Sequence, residues 1–155
     1  MGAAAATMPG MEYRVVNPAE WIERAMPLLR AHWGEVDPGF TLEPDVAAYQ
    51  RLHDAGLIFA VAAFDGDALV GYCSAIVVPP PHNPSALLAM SDALYVVPAL
   101  RRTLVAGRLM RCAEAEAAAR GARRFVWACR AGTPLAPMLE RHGYTPLEHH
   151  MMKEF

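Results

Sequence analysis

Two adjacent arginines stand at the start of a predicted helix whose first turn is otherwise mostly small or apolar. In VVPALRRTLVAGRLMRCAE, residues 96–114, a strand-like segment stops at Pro98, and Arg101 and Arg102 precede the helix. A helix N-terminus carries partial positive charge and unpaired backbone N–H groups. Two cations at this end are unfavourable by themselves, but a bound anion would interact favourably with both the arginines and the helix end. The pattern predicts an anion site, and a pyrophosphate fits it.

The first turn of this helix has the small side chains that such a site needs. Ala106 and Gly107 would let a ligand approach the backbone closely, and the two arginines would add charge-assisted hydrogen bonds. The alternative is that the arginines are solvated and that the Ala-Gly pair eases helix packing. A Walker A loop and a Rossmann fingerprint are excluded, because the sequence has neither Gly-Lys-Ser/Thr here nor GxGxxG.

Length and composition predict one globular domain over residues 11–155, preceded by a disordered tail over 1–10. The 155 residues are 54% hydrophobic and 19% charged, and the net charge of −2 gives no general attraction to nucleic acid or to an anionic membrane. No apolar run approaches the roughly 18 residues of a membrane span. Three cysteines in apolar segments predict reduced, buried thiols in a cytoplasmic protein, with a catalytic cysteine as the alternative.

Apolar periodicity and turn residues predict a mixed α/β (α+β) chain in the order β-α-α-β-β-β-α-β-α-β. The predicted strands are 11–16, 57–64, 68–78, 86–97, 123–130 and 144–155. The predicted helices are 18 to about 32, 45–55, 103–120 and a short one within 132–143. Ser91 and Asp92 interrupt the apolar run 86–97, which indicates a bulge or a splayed strand.

The stretch LYVVPALRRTLVAGRLM resembles motif A of the GNAT superfamily of N-acetyltransferases. In that motif a Leu-x-Val-x-Pro strand end leads into Arg/Gln-x-x-Gly-x-Gly/Ala and a helix. LYVVP matches the first part, and the second part begins at Arg101, with Leu104 in place of the first glycine and Ala106 at the last position. The element order agrees with the family over most of the chain, and LLRAHWGEV and TPLAPMLERHGY resemble a phage-associated branch of it. The resemblance implies a mixed, mostly antiparallel central sheet flanked by about four helices.

The resemblance also implies acetyl-CoA as the acetyl donor. No metal site is expected, because His149 and His150 would point to opposite faces of a strand. The pyrophosphate of acetyl-CoA would lie on the backbone N–H groups of residues 102–107, and the pantetheine would pair with the preceding strand like an added strand. The expected cofactor-binding residues are Leu94, Tyr95, Val96, Arg101, Arg102, Thr103, Leu104, Val105, Ala106 and Gly107.

Acyl transfer to an amine needs a group that accepts the amine proton and one that protonates the departing thiolate. Asp92 is the first candidate base, and a carboxylate that faces water or caps the bulge is the alternative. Glu35 and His32 lie where the family usually shapes the acceptor pocket, and they could hold or deprotonate the amine. The alternative is that both are ordinary polar surface residues. Many family members have a tyrosine that protonates the thiolate at the position where this chain has Leu139. Tyr72, Tyr95 or water therefore remain the candidates for this proton donor.

The resemblance implies an N-acetyltransferase that acts on a primary amine of a small molecule or a protein. The alternative is a catalytically weakened CoA-binding module or a plain interaction module. Four acidic residues favour a cationic amine: Glu35, Asp37, Glu43 and Asp45. The family commonly has two strands after the last helix and this sequence has room for one, so a homodimer that completes the sheet is expected.

Overall fold

The computed structural model describes residues 10–36 and 38–155. The predicted tail over 1–10 therefore lies, except for Gly10, outside the described residues. The strands are β1 (Met11–Val16), β2 (Ile58–Asp65), β3 (Ala68–Val78), β4 (Leu88–Val96) and β5 (Arg124–Val126). The helices are α1 (Pro18–Val36), α2 (Val46–Asp54), α3 (Val105–Ala119) and α4 (Leu135–Arg141), with a 3₁₀ turn at Pro98–Leu100. The predicted mixed α/β class is confirmed.

Within the described residues, five strands form one sheet in the order β1-β2-β3-β4-β5. β1 to β4 pair antiparallel, and β5 pairs parallel with β4 over the three residues from Leu88↔Arg124 to Met90↔Val126. Asp65-Gly66-Asp67 makes the tight β2–β3 turn, where Gly66 has a φ of 57° that favours glycine. The predicted mostly antiparallel sheet with four helices is confirmed.

α3 seals one face of the sheet with a dense apolar core. Phe59, Cys73 and Leu109 are wholly buried there. A Cβ added at Gly71 would lie 2.9 Å from the carbonyl oxygen of Tyr95 and 3.1 Å from Leu109 Cδ1. Only glycine therefore lets β3, β4 and α3 approach this closely.

β4 carries the predicted bulge at Asp92. Ser74 on β3 faces Ala93, whereas the next residue, Ala75, faces Ser91, so Asp92 is the extra residue between them. A bulge bends a strand and frees one residue from the ladder. Asp92 is thereby set at the point where β4 turns away from β5.

The predicted last strand, 144–155, is wrong. These residues form no helix or strand, and Met151, Met152 and Phe155 are almost fully exposed. In HHMMKEF, similar residues stand next to each other, so polar and apolar side chains do not alternate as they do in a half-buried strand. Pro146 also lacks the backbone N–H that would donate to a neighbouring strand. β5 is also shorter than the predicted 123–130, which leaves little edge for another strand to pair with.

Two helix boundaries differ from prediction. α1 continues to Val36 instead of ending near His32, because no proline follows until Pro38 and Gly34 is tolerated inside the helix. α3 begins at Val105 rather than at residue 103, since the chain first makes the 3₁₀ turn after Pro98. The longer α1 carries Glu35 over the end of β4.

Candidate functional site

The edge of β4 that faces β5 is open beyond Met90. β5 ends at Val126, opposite Met90, and just after it the Ala128 N–H donates to Ser91 Oγ at 2.8 Å. β4 itself continues to Val96. The two strands therefore splay apart, and backbone groups of the last part of β4 on this edge have no partner strand.

Hydrogen bonding to β3 determines which backbone groups face that open edge. The Val97 N–H donates to Val70 O on β3 at 2.9 Å. Because backbone groups alternate direction along a strand, those of Tyr95 also face β3, and those of Leu94 and Val96 face the open edge. Of the three strand residues predicted to bind pantetheine, Leu94 and Val96 thus offer backbone groups, whereas Tyr95 offers its ring.

The first turn of α3 presents unpaired backbone donors. Thr103 Oγ1 accepts from the Val105 N–H at 3.3 Å, and no acceptor is found within the described part of the chain for the N–H groups of Leu104, Ala106 and Gly107. A Cβ added at Gly107 would meet only the Arg111 guanidinium, 3.7 Å away. Free donors beside open space fit a diphosphate-bearing carrier.

The two arginines do different things. The Arg101 Nε donates to Val96 O at 2.8 Å, and its guanidinium makes a 2.6 Å ion pair with Glu35 and lies 5.2 Å from the centre of the Tyr95 ring. The Arg101 side chain is thus directed toward α1 and away from the α3 amides. Arg102 is exposed at the start of α3. A phosphate contact from either side chain stays a prediction.

His32, Tyr72 and Tyr95 form an aromatic cluster beneath α1. His32 Nδ1 and the Tyr72 hydroxyl are hydrogen-bonded at 2.7 Å, and the His32 ring stacks on Tyr95 with centroids 5.1 Å apart. Burial lowers the pKa of His32 and raises the pKa of Tyr72. His32 is therefore neutral and Tyr72 protonated at neutral pH, and Nδ1 can accept the tyrosine hydrogen.

The Asp92 carboxylate is fixed by β3. Ser74 Oγ donates to Asp92 Oδ2 at 2.9 Å, and the aspartate side chain stays exposed to solvent. Asp92 is also close enough to Tyr49 to contribute, after burial, to raising the pKa of that phenol. The carboxylate lies at the splay, where the open edge begins.

The two predicted catalytic carboxylates are separated by function. Asp92 accepts a hydrogen bond from the neutral Ser74 hydroxyl, whereas Glu35 is ion-paired with the Arg101 guanidinium. His32 lies among Glu35, Arg101 and Asp92 and feels the charge of each. The base role of Asp92 or Glu35 stays a prediction.

Ser74 and Tyr49 are site residues that the sequence did not reveal. Ser74 lies inside an apolar strand and Tyr49 inside an amphipathic helix, and only the register of β3 against the bulge brings Ser74 to Asp92. Their signal was a polar group in an otherwise apolar run, which is too common to identify a site. Together with Tyr72 and Asp92, both border a pocket under α1.

Several other residues that were candidates for catalytic roles are part of the packed structure instead. Leu139, at the position of the family's tyrosine acid, is buried at 5% exposure. The Tyr144 hydroxyl donates to Glu114 at 2.6 Å, and Trp127 Nε1 donates to the same carboxylate at 2.8 Å, which ties the end of α4 and β5 to α3. Burial raises the pKa of the Cys73 thiol to about 12, so it stays protonated.

Within residues 10–36 and 38–155, neither a metal-binding cluster nor a membrane-spanning helix is found. In these ranges, no group of at least three His, Cys, Asp or Glu side chains could hold a metal ion. Nor does any helix there combine the length and the apolar character that crossing a membrane requires.

The family model described as acetyltransferase (GNAT) family matches residues 19–144. None of the curated proteins matches the sequence. The match to the family model covers most of the chain, including β4, the splay and α3.

Solved acetyltransferase structures have a similar fold. The aminoglycoside acetyltransferase HMB0005, from an uncultured soil metagenomic sample, has a TM-score of 0.77 at 18% identity, covering 94% of this chain and 98% of its own. The ribosomal-protein-alanine N-acetyltransferase from Brucella melitensis biovar Abortus 2308 gives 0.71 at 17% identity, covering 94% and 99%. AAC(6')-Iy, in complex with the bisubstrate analogue CoA-S-monomethyl-acetylneamine, gives 0.71 at 18% identity, covering 94% and 97%. At such identities the likeness shows the fold.

Proposed function

The chain belongs to the acetyltransferase (GNAT) family, and from that premise we propose that it is an N-acetyltransferase that moves an acetyl group from acetyl-CoA to a primary amine of a small molecule or a protein. The observation that carries the proposal is the junction of β4 and α3. There, an open strand edge at Leu94 and Val96 leads directly to the unpaired amides of Leu104, Ala106 and Gly107. The likeness to a phage-associated branch stays a prediction.

Acetyl-CoA supplies the activated acetyl thioester, and the chain supplies the groups that hold it. The amides at the start of α3 would bind the diphosphate, with Arg102 and Thr103 beside them. The backbone groups of Leu94 and the N–H of Val96 would bind the pantetheine in the manner of an added strand, while Val96 O accepts from Arg101. Leu104, which stands where the family has its first glycine, is 51% exposed and leaves its own N–H available. Arg101 would keep the end of β4 in place through Val96 O.

Asp92 is the proposed catalytic base. Its carboxylate lies at the splay, is oriented by Ser74, and carries no paired cation among the described residues. The amine nitrogen forms a bond to the acetyl carbon, the carbon–sulfur bond breaks, and the proton lost by nitrogen is balanced by one gained by sulfur. The sulfur receives its proton from Tyr72, Tyr95 or water. N–H groups of the open edge would stabilise the carbonyl oxygen as it becomes negative.

Glu35 is proposed as a positioning residue beside this base. Its ion pair with Arg101 connects the end of α1 to Val96 O and to the Tyr95 ring. Since both partners are substantially exposed, the pair contributes little to stability by itself. Its effect on the orientation of the β4 end is the larger expected contribution.

The decisive test combines CoA binding with thiol release. Isothermal titration calorimetry with CoA is followed by a free-thiol assay with acetyl-CoA over a panel of amines. Release that depends on an amine supports the N-acetyltransferase. Binding without release supports instead the alternative of a CoA-binding module that has lost catalysis, and no heat of binding would contradict both and leave an interaction module.

Two further proposals concern the setting of the enzyme. Exposed apolar side chains after α4, together with the edge strand β5, favour a homodimer in which a second copy covers them: Leu147, Met151, Met152 and Phe155. Light scattering that gives a monomer mass across micromolar concentrations would contradict the dimer.

The reduced, buried Cys73 favours a cytoplasmic location.

A further inference from the structure

A pocket lies between α1, α2 and the sheet face that carries Tyr72. Together with its open mouth, the space between these elements amounts to about 570 Å³. The residues proposed to bind the donor lie on the open edge of β4 and at α3, so this space remains for the acceptor.

The walls of the pocket are apolar. They include side chains of α1 and of the strands beneath it, namely Trp21, Ile22, Ala25, Leu29, Ala62 and Leu69. Such walls favour an apolar ligand group, and they penalise a charged group that finds no partner there. The inner part of the pocket therefore suits a hydrocarbon or an aromatic ring.

The polar groups are gathered at one end. Tyr49, Tyr72, Ser74 and Asp92 lie there, and Asp92 is the one charged residue in the described lining. The carboxylate is oriented by Ser74 Oγ and lies beside the β4 splay. A single negative charge at this end suits a single ammonium group, at the place where the acetyl group has to arrive.

The acidic residues that predicted a cationic acceptor do not add to this charge. Glu35 is ion-paired with Arg101 and does not line the pocket. Asp37 lies outside the described residues, and Glu43 and Asp45 are not in the lining. The pocket therefore offers one anion and a large apolar wall.

From this arrangement we propose that the acceptor is a monoamine with a compact apolar group, such as an arylalkylamine, which fills the pocket while its ammonium group meets Asp92. The inference rests on the proposed function and specifies its substrate class. A polycation of similar size would bring further charges against the apolar walls, where each loses its hydration without a partner.

The test measures kcat/KM at saturating acetyl-CoA for phenethylamine, methylamine and spermidine. Phenethylamine is expected to exceed both other amines at least tenfold. Methylamine has the charge without the apolar group, and spermidine has additional charges. Equal values, or a preference for spermidine, would overturn the proposed substrate class while leaving the acetyltransferase intact.

Two α1 variants assign the effect to the pocket. Ala25→Leu narrows the pocket and is expected to raise the KM for phenethylamine about tenfold with the KM for acetyl-CoA unchanged. Ala31→Leu makes the same change at an exposed position of α1 outside the lining and is expected to change neither. Leu29→Ala widens the pocket and is expected to shift preference toward bulkier amines, which keeps the test valid if Ala25→Leu folds poorly.

A binding measurement separates this inference from the proposed function. Ligand-observed NMR with phenethylamine is run on the wild type, Ala25→Leu and Ala31→Leu. Binding to the wild type and to Ala31→Leu, with loss in Ala25→Leu, supports the pocket even if no amine is acetylated and the enzymatic proposal fails. No binding, or equal binding to all three proteins, would overturn the inference.

Discussion

The two faces of the sheet come from the same strands and yet differ in kind. On β3, Cys73 and Ala75 face α3 and are wholly buried in a dense apolar core. The neighbouring residues Tyr72 and Ser74 face α1 and α2, where they meet His32 and Asp92 beside an open pocket. Because side chains alternate along a strand, a single segment contributes to both environments.

The difference separates stability from function. On the α3 face, β3, β4 and α3 approach one another closely at Gly71. The α1 and α2 face keeps a cavity and buried titratable groups, which cost stability and are retained where a site needs them. α3 belongs to both the stable core and the site. One side of the helix packs on the core, and its N-terminus stays open beside the splay between β4 and β5.

The largest difference between the faces is expected in stability. Leu109→Ala, on the α3 face, is expected to lower the free energy of unfolding by about 2–5 kcal/mol, because a wholly buried side chain leaves a cavity. Leu29→Ala, on the pocket face, removes the same atoms from a half-buried position beside existing space and is expected to cost under about 1 kcal/mol. Urea denaturation measures both, and similar losses would show that the faces are packed alike.

The next largest effect is expected in catalysis on the pocket face. Asp92→Asn keeps the shape of the side chain and removes the base, so kcat is expected to fall about 100-fold or more. Glu35→Gln breaks the ion pair with Arg101 and is expected to lower kcat less. Steady-state assays at saturating donor compare the two. An unchanged rate in Asp92→Asn would remove Asp92 as the base.

A smaller effect is expected at the open end of α3. Gly107→Asp places a negative charge among the amides proposed to bind a diphosphate, while Gly107→Asn has the same shape without the charge. The aspartate is expected to weaken CoA binding about tenfold relative to the asparagine and, by complementing the helix dipole, to stabilise the protein alone by about 0.3–1 kcal/mol. Calorimetry measures the affinities, and equal affinity in the two variants would mean that the diphosphate lies elsewhere.

The smallest effect is a pH dependence of stability at His32. Burial lowers the pKa of His32 below its ordinary value of 6.5, so the unfolded chain binds the proton more readily than the folded one. The contribution of His32 to stability is therefore complete above about pH 6.5 and is lost as the pH falls toward the folded pKa. His32→Asn should flatten the urea-unfolding profile between pH 5.5 and 7.5.

The control for that measurement is His142→Asn at an exposed position on the last helix end. It is expected to leave the pH profile as in the wild type. A wild-type slope that persists in His32→Asn would assign the dependence to another group.

The sequence predicted the parts of the fold that local pattern determines. Alternation and turn residues gave the β2–β3 hairpin, and a polar pair inside an apolar run gave the bulge at Asp92. The last strand was wrong because its pattern lacks alternation and because the short β5 leaves it little to pair with, a fact of tertiary structure. Strand formation there depends on a neighbour that the local sequence does not describe.

The site was predictable to a similar extent. The motif around α3 pointed to the amides, which depend on helix geometry alone. The ion pair of Arg101 with Glu35 joins residues 66 positions apart, and the Ser74 hydrogen bond to Asp92 depends on the register of two strands. Such contacts are determined by packing, so the direction of the Arg101 side chain and the pocket came from the structure.

The central claim is that the α3 amides and the open edge of β4 bind the CoA donor. It is tested most directly by titrating CoA into ¹⁵N-labelled protein and following the backbone amide resonances. The account predicts that the largest shifts occur at Leu104, Ala106 and Gly107, with further shifts at Leu94 and Val96. Shifts confined to other parts of the chain, or none at millimolar CoA, would contradict it.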